Sequence, residues 1–200
     1  KILRSHLPHA IIKNIDTSKA LALPGVSAVI TGKDLPISYG ILPVSQDEHA
    51  LCIDKVRFIG DPVAAVAAID EDVAFDAMNL IEVEYEPLNT VSSIEEAVMI
   101  EEPRIHTYGD VGNIHKKVSL EFGNVEEGFA EADLIREDIF FYEGNTHLPM
   151  EQHAAVAHFD SDKKITLWSS TQTPHYVHRA LAKVLELPAS HIRVIATPNG

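Results

Sequence analysis

The stretch KVRFIGDPVAAVAAIDEDVAFDAMNLIEVEYEPL, Lys55 to Leu88, decides the fold. Its segment from Val63 to Ile69 is wholly apolar, the composition of a strand buried on both faces. Asp72 then reads as the N-cap of a helix through Val73, Ala77, Met78 and Leu80. Beyond it Ile81, Val83 and Tyr85 alternate with Glu82, Glu84 and Glu86, which predicts a strand with one wet face. Strand, helix and strand in so short a span predict a βαβ unit and place the chain in the mixed α/β (α+β) class.

Upstream, LPGVSAVITGKDL holds a short β-branched strand, Ala28 to Thr31, between a Pro-Gly turn and a Gly-Lys-Asp turn. Downstream, PRIHTYGDVGNIHKK (103–117) is polar, contains glycine and follows neither period, so it reads as a domain boundary. The expected division is a first domain over 1–110 and a second over 118–200. The second should begin with a short helix, Val125 to Ala132, and a strand around Leu134 to Phe141. A hairpin is expected next: HAAVAHF, a turn at Asp160 to Lys163, then ITLWSS. A helix from Pro174 to Leu185 ends at Leu187-Pro188, and HIRVIAT forms the last strand.

Composition narrows the function. Thirty acidic against sixteen basic residues give a net charge of -14, which argues against nucleic acid or an anionic membrane as partner. No run of eighteen apolar residues predicts a membrane span. The lone Cys52 cannot form an intramolecular disulfide, cannot hold an iron–sulfur cluster unaided, and points to a reducing compartment, the cytoplasm. The chain opens on KILRSH and stops at VIATPNG, and is expected to be an internal piece of a larger protein, inactive by itself.

Histidines crowd THLPMEQHAAVAH, where His147, Glu151, His153 and His158 suggest a metal site. Pro149 would break the helix that a zincin site needs. In a strand His147, Glu151 and His153 share a face but span about 20 Å, at ~3.3 Å per residue, too far for one ion. Structural or surface histidines and a hydrogen-bonded, structural Glu151 are expected instead. A nucleophile elbow and a phosphate-binding glycine loop are both absent from the sequence.

The remaining feature is SSTQTPHYVHR, Ser169 to Arg179. The strand ITLWSS ends at Ser170, and Thr173-Pro174 reads as an N-cap with proline at the first helical position. Gln172 therefore falls on a strand-to-helix loop, where anionic groups are favoured. A neutral amide there can donate to an oxo or phosphate oxygen without altering the charge. A loop glutamine bonded to nearby backbone is the competing interpretation.

Several of these stretches resemble one family in order and spacing. The Lys55–Leu88 segment resembles the hammerhead α/β domain of the molybdenum hydroxylases, the xanthine dehydrogenase and aldehyde oxidase family. GNVEEGFAEADLIRED, HLPME, LWSSTQTPH and LELPASHIRVI resemble the start of that family's molybdopterin-binding α+β domain. The resemblance implies an oxidoreductase in which Gln172 hydrogen-bonds the apical oxo ligand of molybdenum. His147 and Glu151 match positions that are structural, and no catalytic residue is implied within the chain. ILRS, AEADLIRE and TPHYVH look most like the large subunit of 4-hydroxybenzoyl-CoA reductase. That implies molybdopterin cytosine dinucleotide as cofactor, a CoA-thioester substrate dehydroxylated reductively, and partner subunits carrying iron–sulfur clusters and FAD. Hydroxylation of an aldehyde, purine or other N-heterocycle is the alternative within the family. Outside it stand a non-catalytic α/β binding module and a hydrolase using Glu151 with a histidine.

Overall fold

The computed structural model describes residues 1–42, 45–109, 111–146 and 148–199, so His147 lies outside the described residues. The first half runs β1 (Ile2–Arg4), β2 (Ala10–Asp16), α1 (Ser18–Leu21), β3 (Val26–Thr31), β4 (Lys55–Val56), β5 (Pro62–Ala68), α2 (Glu71–Asn79), β6 (Glu82–Pro87) and α3 (Ile94–Met99). Its strands form two interleaved antiparallel sheets, β1-β5-β3 and β4-β2-β6. The second half comprises α4 (Val125–Glu131), β7 (Ala155–Phe159), β8 (Ile165–Ser169), α5 (Pro174–Val184) and β9 (Ile192–Ala196), with a third sheet ordered β7-β8-β9.

β5 is central and buried on both faces, as its apolar run predicts. Ala64 and Val66 pack with Ala20, Ala74, Ala77 and Ile81, under α1 and α2. Val63 points the other way, into a cluster with Ala10, Cys52 and Val56. Ile15 and Val83 of the second sheet touch both clusters, so the two sheets share one continuous apolar interior. The Cys52 carbonyl approaches so closely that a Cβ on Gly32 would lie 2.4 Å from its oxygen, which only glycine avoids.

Three expectations are corrected. The cap of α2 is Asp70, whose Oδ1 accepts from Val73 N at 2.8 Å; Asp72 sits inside the first turn, where its charge suits the helix dipole. The predicted βαβ unit of the first half does not form. β6 leaves α2 after two residues and pairs antiparallel with β2, in a different sheet from β5. Periodicity fixes the type of an element but not its partner. The parallel crossover lies in the second half instead, as β8-α5-β9 with Ile165 opposite Ile192 and Ser169 opposite Ala196.

Nor is there a strand over Leu134–Phe141. Ile139, Phe140 and Phe141 are 94%, 91% and 90% exposed, and among the described residues no strand pairs with this segment. An extended segment becomes a strand only when a neighbour takes its N–H and C=O groups. The hairpin is as expected: Asp160 Oδ1 accepts from Asp162 N and Lys164 N, each at 2.9 Å, and Lys163 takes φ 60°.

The irregular stretch after α3 is organised from within. Arg104 Nε donates to Gly112 O at 2.8 Å, and its Nη2 donates to Tyr108 O and Gly109 O at 2.7 and 2.9 Å. The Arg104 carbonyl accepts from Lys55 Nζ at 2.5 Å and the Ile105 carbonyl from Arg57 Nε at 3.0 Å, which ties the segment back to the first half. Burial, then the nearby Arg57 charge, lowers the Lys55 ammonium below its ordinary pKa.

Candidate functional site

β8 carries the chain to Ser169, whose carbonyl accepts from Thr197 N at 3.0 Å just beyond β9. Ser170 then fastens to the residue before β7. Its N donates to Ala154 O at 3.1 Å, and its Oγ accepts from Ala154 N at 2.9 Å and lies 3.2 Å from Ala154 O. Thr171 Oγ1 accepts from Thr173 N at 3.1 Å, a side-chain turn that folds the loop over one residue. That residue is Gln172. It is exposed, and its amide makes no hydrogen bond among the described residues.

The loop feeds α5, which has Thr173 at the N-cap and Pro174 in its first turn. Thr173 gives no side-chain bond to that turn; its Oγ1 lies 3.4 Å from Thr171 Oγ1 instead. Tyr176 N and Val177 N donate to the Thr173 carbonyl at 3.0 and 3.2 Å and Pro174 has no N–H, so in this first turn His175 N is the amide without a hydrogen bond among the described residues, at the positive end of the helix dipole. The expected N-cap position is correct, and among the described residues its side chain makes no capping bond.

The histidines do not assemble. His178 Nε2 donates to Ala189 O at 3.0 Å, holding α5 against the single 3-10 turn (Ala189–His191) that precedes β9, and His175 is exposed. His153 and His158 are exposed, and Glu151 is half-buried and engaged with its surroundings. Among the described residues no three His, Cys, Asp or Glu side chains come close enough to hold a metal ion. Cys52 is buried, and its thiol is pushed up to about 12 by burial and the adjacent Asp61, so it is no nucleophile at neutral pH.

Past Gln172, a cleft of about 690 Å³ opens between α5 and a wall that includes Tyr39, Ile41, Leu42 and Gln46. Thr173, Tyr176, Arg179 and Lys183 line it from the helix and Tyr39 from the other side. Sequence reasoning missed these residues. Their signal was the spacing of Tyr176, Ala180 and Lys183 along one row of α5, but their partner wall is more than 120 residues away in sequence.

Comparison with known proteins gives these features a family. Residues 1–89 match the aldehyde oxidase and xanthine dehydrogenase a/b hammerhead domain, and residues 105–200 match the molybdopterin cofactor-binding domain. The large molybdopterin subunit of nicotinate dehydrogenase from Eubacterium barkeri is 38% identical over 199 residues, covering 100% of this chain and 46% of that protein. A probable xanthine dehydrogenase component from Bacillus subtilis (strain 168) is 38% identical over 202 residues, covering 100% of this chain and 26% of the relative. Among solved structures, quinoline 2-oxidoreductase from Pseudomonas putida 86 superposes with a TM-score of 0.80 at 33% identity, covering 98% of this chain and 26% of that one. The chain thus spans less than half the length of these relatives. With both domain types matched in succession, it belongs to the xanthine dehydrogenase and aldehyde oxidase family of molybdopterin-binding proteins.

Proposed function

We propose that this protein is the molybdenum-cofactor-binding part of an oxidoreductase, with Gln172 as the residue that donates a hydrogen bond to the metal's oxo ligand. The supporting observation is the state of that side chain: an exposed amide without a hydrogen bond among the described residues, beside a helix N-terminus whose N-cap side chain makes no capping bond. An anionic oxo-metal group suits this setting, because a neutral donor and a helix dipole stabilise negative charge without neutralising it. When bound, the cofactor would supply two-electron redox chemistry at molybdenum. The chain's own contribution is positional. Ser170 fixes the loop to the sheet, Thr171 shapes the turn, and Gln172 presents its amide.

The proposed reaction is hydroxylation of a small aromatic N-heterocycle with water as oxygen donor. The names of the nicotinate, xanthine and quinoline enzymes support it, since all describe oxidoreductases of such rings. Reductive dehydroxylation of 4-hydroxybenzoyl-CoA is the second reading, favoured by the stretches ILRS, AEADLIRE and TPHYVH. In either case the cofactor would be the cytosine dinucleotide form, electrons would pass to iron–sulfur and FAD groups on partner subunits, and the complex would work in the cytoplasm. We also assign 1–110 to the hammerhead domain and 118–200 to the cofactor-binding domain.

The test is metal and pterin analysis of the full-length protein purified with its partner subunits, followed by turnover with two substrate sets. Molybdenum and a pterin in equal amounts, with oxidation of nicotinate or a purine, is the expected result. Absence of both molybdenum and pterin would refute the cofactor assignment. Reduction of 4-hydroxybenzoyl-CoA by a low-potential donor, without heterocycle oxidation, would replace the first reaction with the second.

A further inference from the structure

The cleft beside Gln172 has a charge that the rest of the chain does not explain. The protein carries -14 overall, yet among the lining residues the ionisable side chains with charge at neutral pH are Arg179 and Lys183, both cations. Neither forms an ion pair among the described residues. They stand four residues apart on α5, where two like charges repel and weaken a helix. Lys183 alone is accounted for by the last turn, whose carbonyls favour a cation. Arg179, in the middle of the helix, has no such explanation. Its guanidinium lies 4.7 Å over the Tyr176 ring, a cation–π contact that draws it to the aromatic face.

The other wall supplies an aromatic group. Tyr39 is half-buried, and burial followed by the neighbouring Glu48 raises its hydroxyl above the ordinary pKa, keeping it a neutral donor at physiological pH. The acids near Tyr39, Asp47 and Glu48, line a separate hollow with Asp61. They are not among the residues of the basic cleft. Tyr39 thus lines both an acidic hollow and a cationic, aromatic cleft. A volume of about 690 Å³ falls in the range that accommodates a small organic ligand.

We propose that this cleft binds a planar aromatic carboxylate, with Arg179 and Lys183 holding the carboxylate and Tyr39 and Tyr176 flanking the ring. Resting on the reading of Gln172 given above, the inference names a substrate class: the ring that reaches the cofactor carries a negative charge. Electrostatics gives the reason such a device is needed. A chain with this excess of acids repels an anionic substrate, and a local pair of cations at the approach offsets that repulsion.

The test uses the holoenzyme complex and two probes of equal shape, benzoate and its neutral counterpart benzamide, with binding measured by calorimetry at low and high salt. Benzoate should bind about tenfold more tightly than benzamide, the expected scale of a charge-assisted contact near the surface. The variant Arg179→Ala/Lys183→Ala should abolish that preference, and Arg179→Lys should keep most of it. Molybdenum content is measured in parallel and should not change in any variant. Equal binding of the two probes would overturn the proposal, as would an unchanged preference in the double variant. Loss of molybdenum from the wild-type complex would instead count against the cofactor assignment, so the two failures are distinguishable.

Discussion

Replacing Gln172 with alanine should separate stability from function. The side chain is exposed and makes no hydrogen bond among the described residues, so its removal strands no buried partner. The fold should lose less than about 0.5 kcal/mol, the usual scale for a surface substitution. The functional loss is set by a different contact, one hydrogen bond from a neutral amide to a charged group, worth roughly 1.5–3 kcal/mol. At about 1.4 kcal/mol per factor of ten, turnover or cofactor retention should fall roughly ten- to hundredfold. Gln172→Glu should fall further, because a carboxylate faces the same anion. The assay pairs a thermal melt of each purified complex with its molybdenum content and its turnover. Unchanged turnover and metal content would refute the role given to Gln172. A large drop in melting temperature would refute the structural premise, that none of the described residues depends on this amide.

Other perturbations test the fold and the electrostatics. Val63→Ala removes two buried methyl groups at a fully buried position and should cost roughly 2–3 kcal/mol in urea unfolding. Gly32→Ala should be far worse, since its Cβ meets the Cys52 carbonyl at 2.4 Å; little folded protein in expression trials is the expected outcome. Glu186 ends α5 at φ 52° in a Schellman turn, with Leu187 N donating to Ala182 O at 3.1 Å and Glu186 N to Lys183 O at 3.3 Å. Glu186→Gly relieves that left-handed residue and should slow amide hydrogen exchange at the end of α5 several-fold, for a gain of about 1 kcal/mol. Cys52 supplies the pH test. Its thiol ionises at about 12 when folded, against an ordinary 9.0, so its contribution to stability is complete below pH 9.0 and is lost as pH rises through about 12. Tyr39 and Tyr85, both raised chiefly by burial, act with the same sign. Melting temperature should fall steeply above pH 9, less so in Cys52→Ala, and iodoacetamide at pH 8 should label Cys52 only in urea.

What the sequence revealed was local. The apolar run of β5, the alternation of β6, the Asp-Ser-Asp-Lys turn and the Thr-Pro start of α5 each carry their signal within a few residues, and all four elements are where those signals put them. α3 had such a signal too, Ser93 three residues before Glu96, and Ser93 Oγ does accept from Glu96 N at 3.1 Å. Partner choice was not legible. Nothing in EVEYEP states that its edge belongs to Ala10–Asp16 rather than to β5. Leu134–Phe141 shows the same limit, since strand-like composition does not provide a strand to pair with. For the site, the position of Gln172 on a strand-to-helix loop followed from the flanking residues alone. The wall that Tyr39 contributes did not, because proximity across so many residues is a property of the assembled sheets.

The two interleaved sheets set the order in which the chain can fold as it is made. Ile2 lies opposite Ala65, and Ala10 opposite Pro87, so each amino-terminal strand waits for a partner encoded much later. At about 5–20 residues per second, synthesis from Ala10 to Pro87 takes roughly 4–15 s. Until β6 is made, the β2 segment AIIKNID can pair only with the two residues of β4, at Ala10 and Ile11, and pairings of such long range form slowly in any case. Any product of interrupted translation that stops before Pro87 leaves the β4-β2-β6 sheet unclosed, and one that stops before Pro62 leaves both sheets open. The shortest amino-terminal segment able to close both sheets therefore ends at or beyond Pro87, and nascent chains shorter than this are the ones that should need a chaperone.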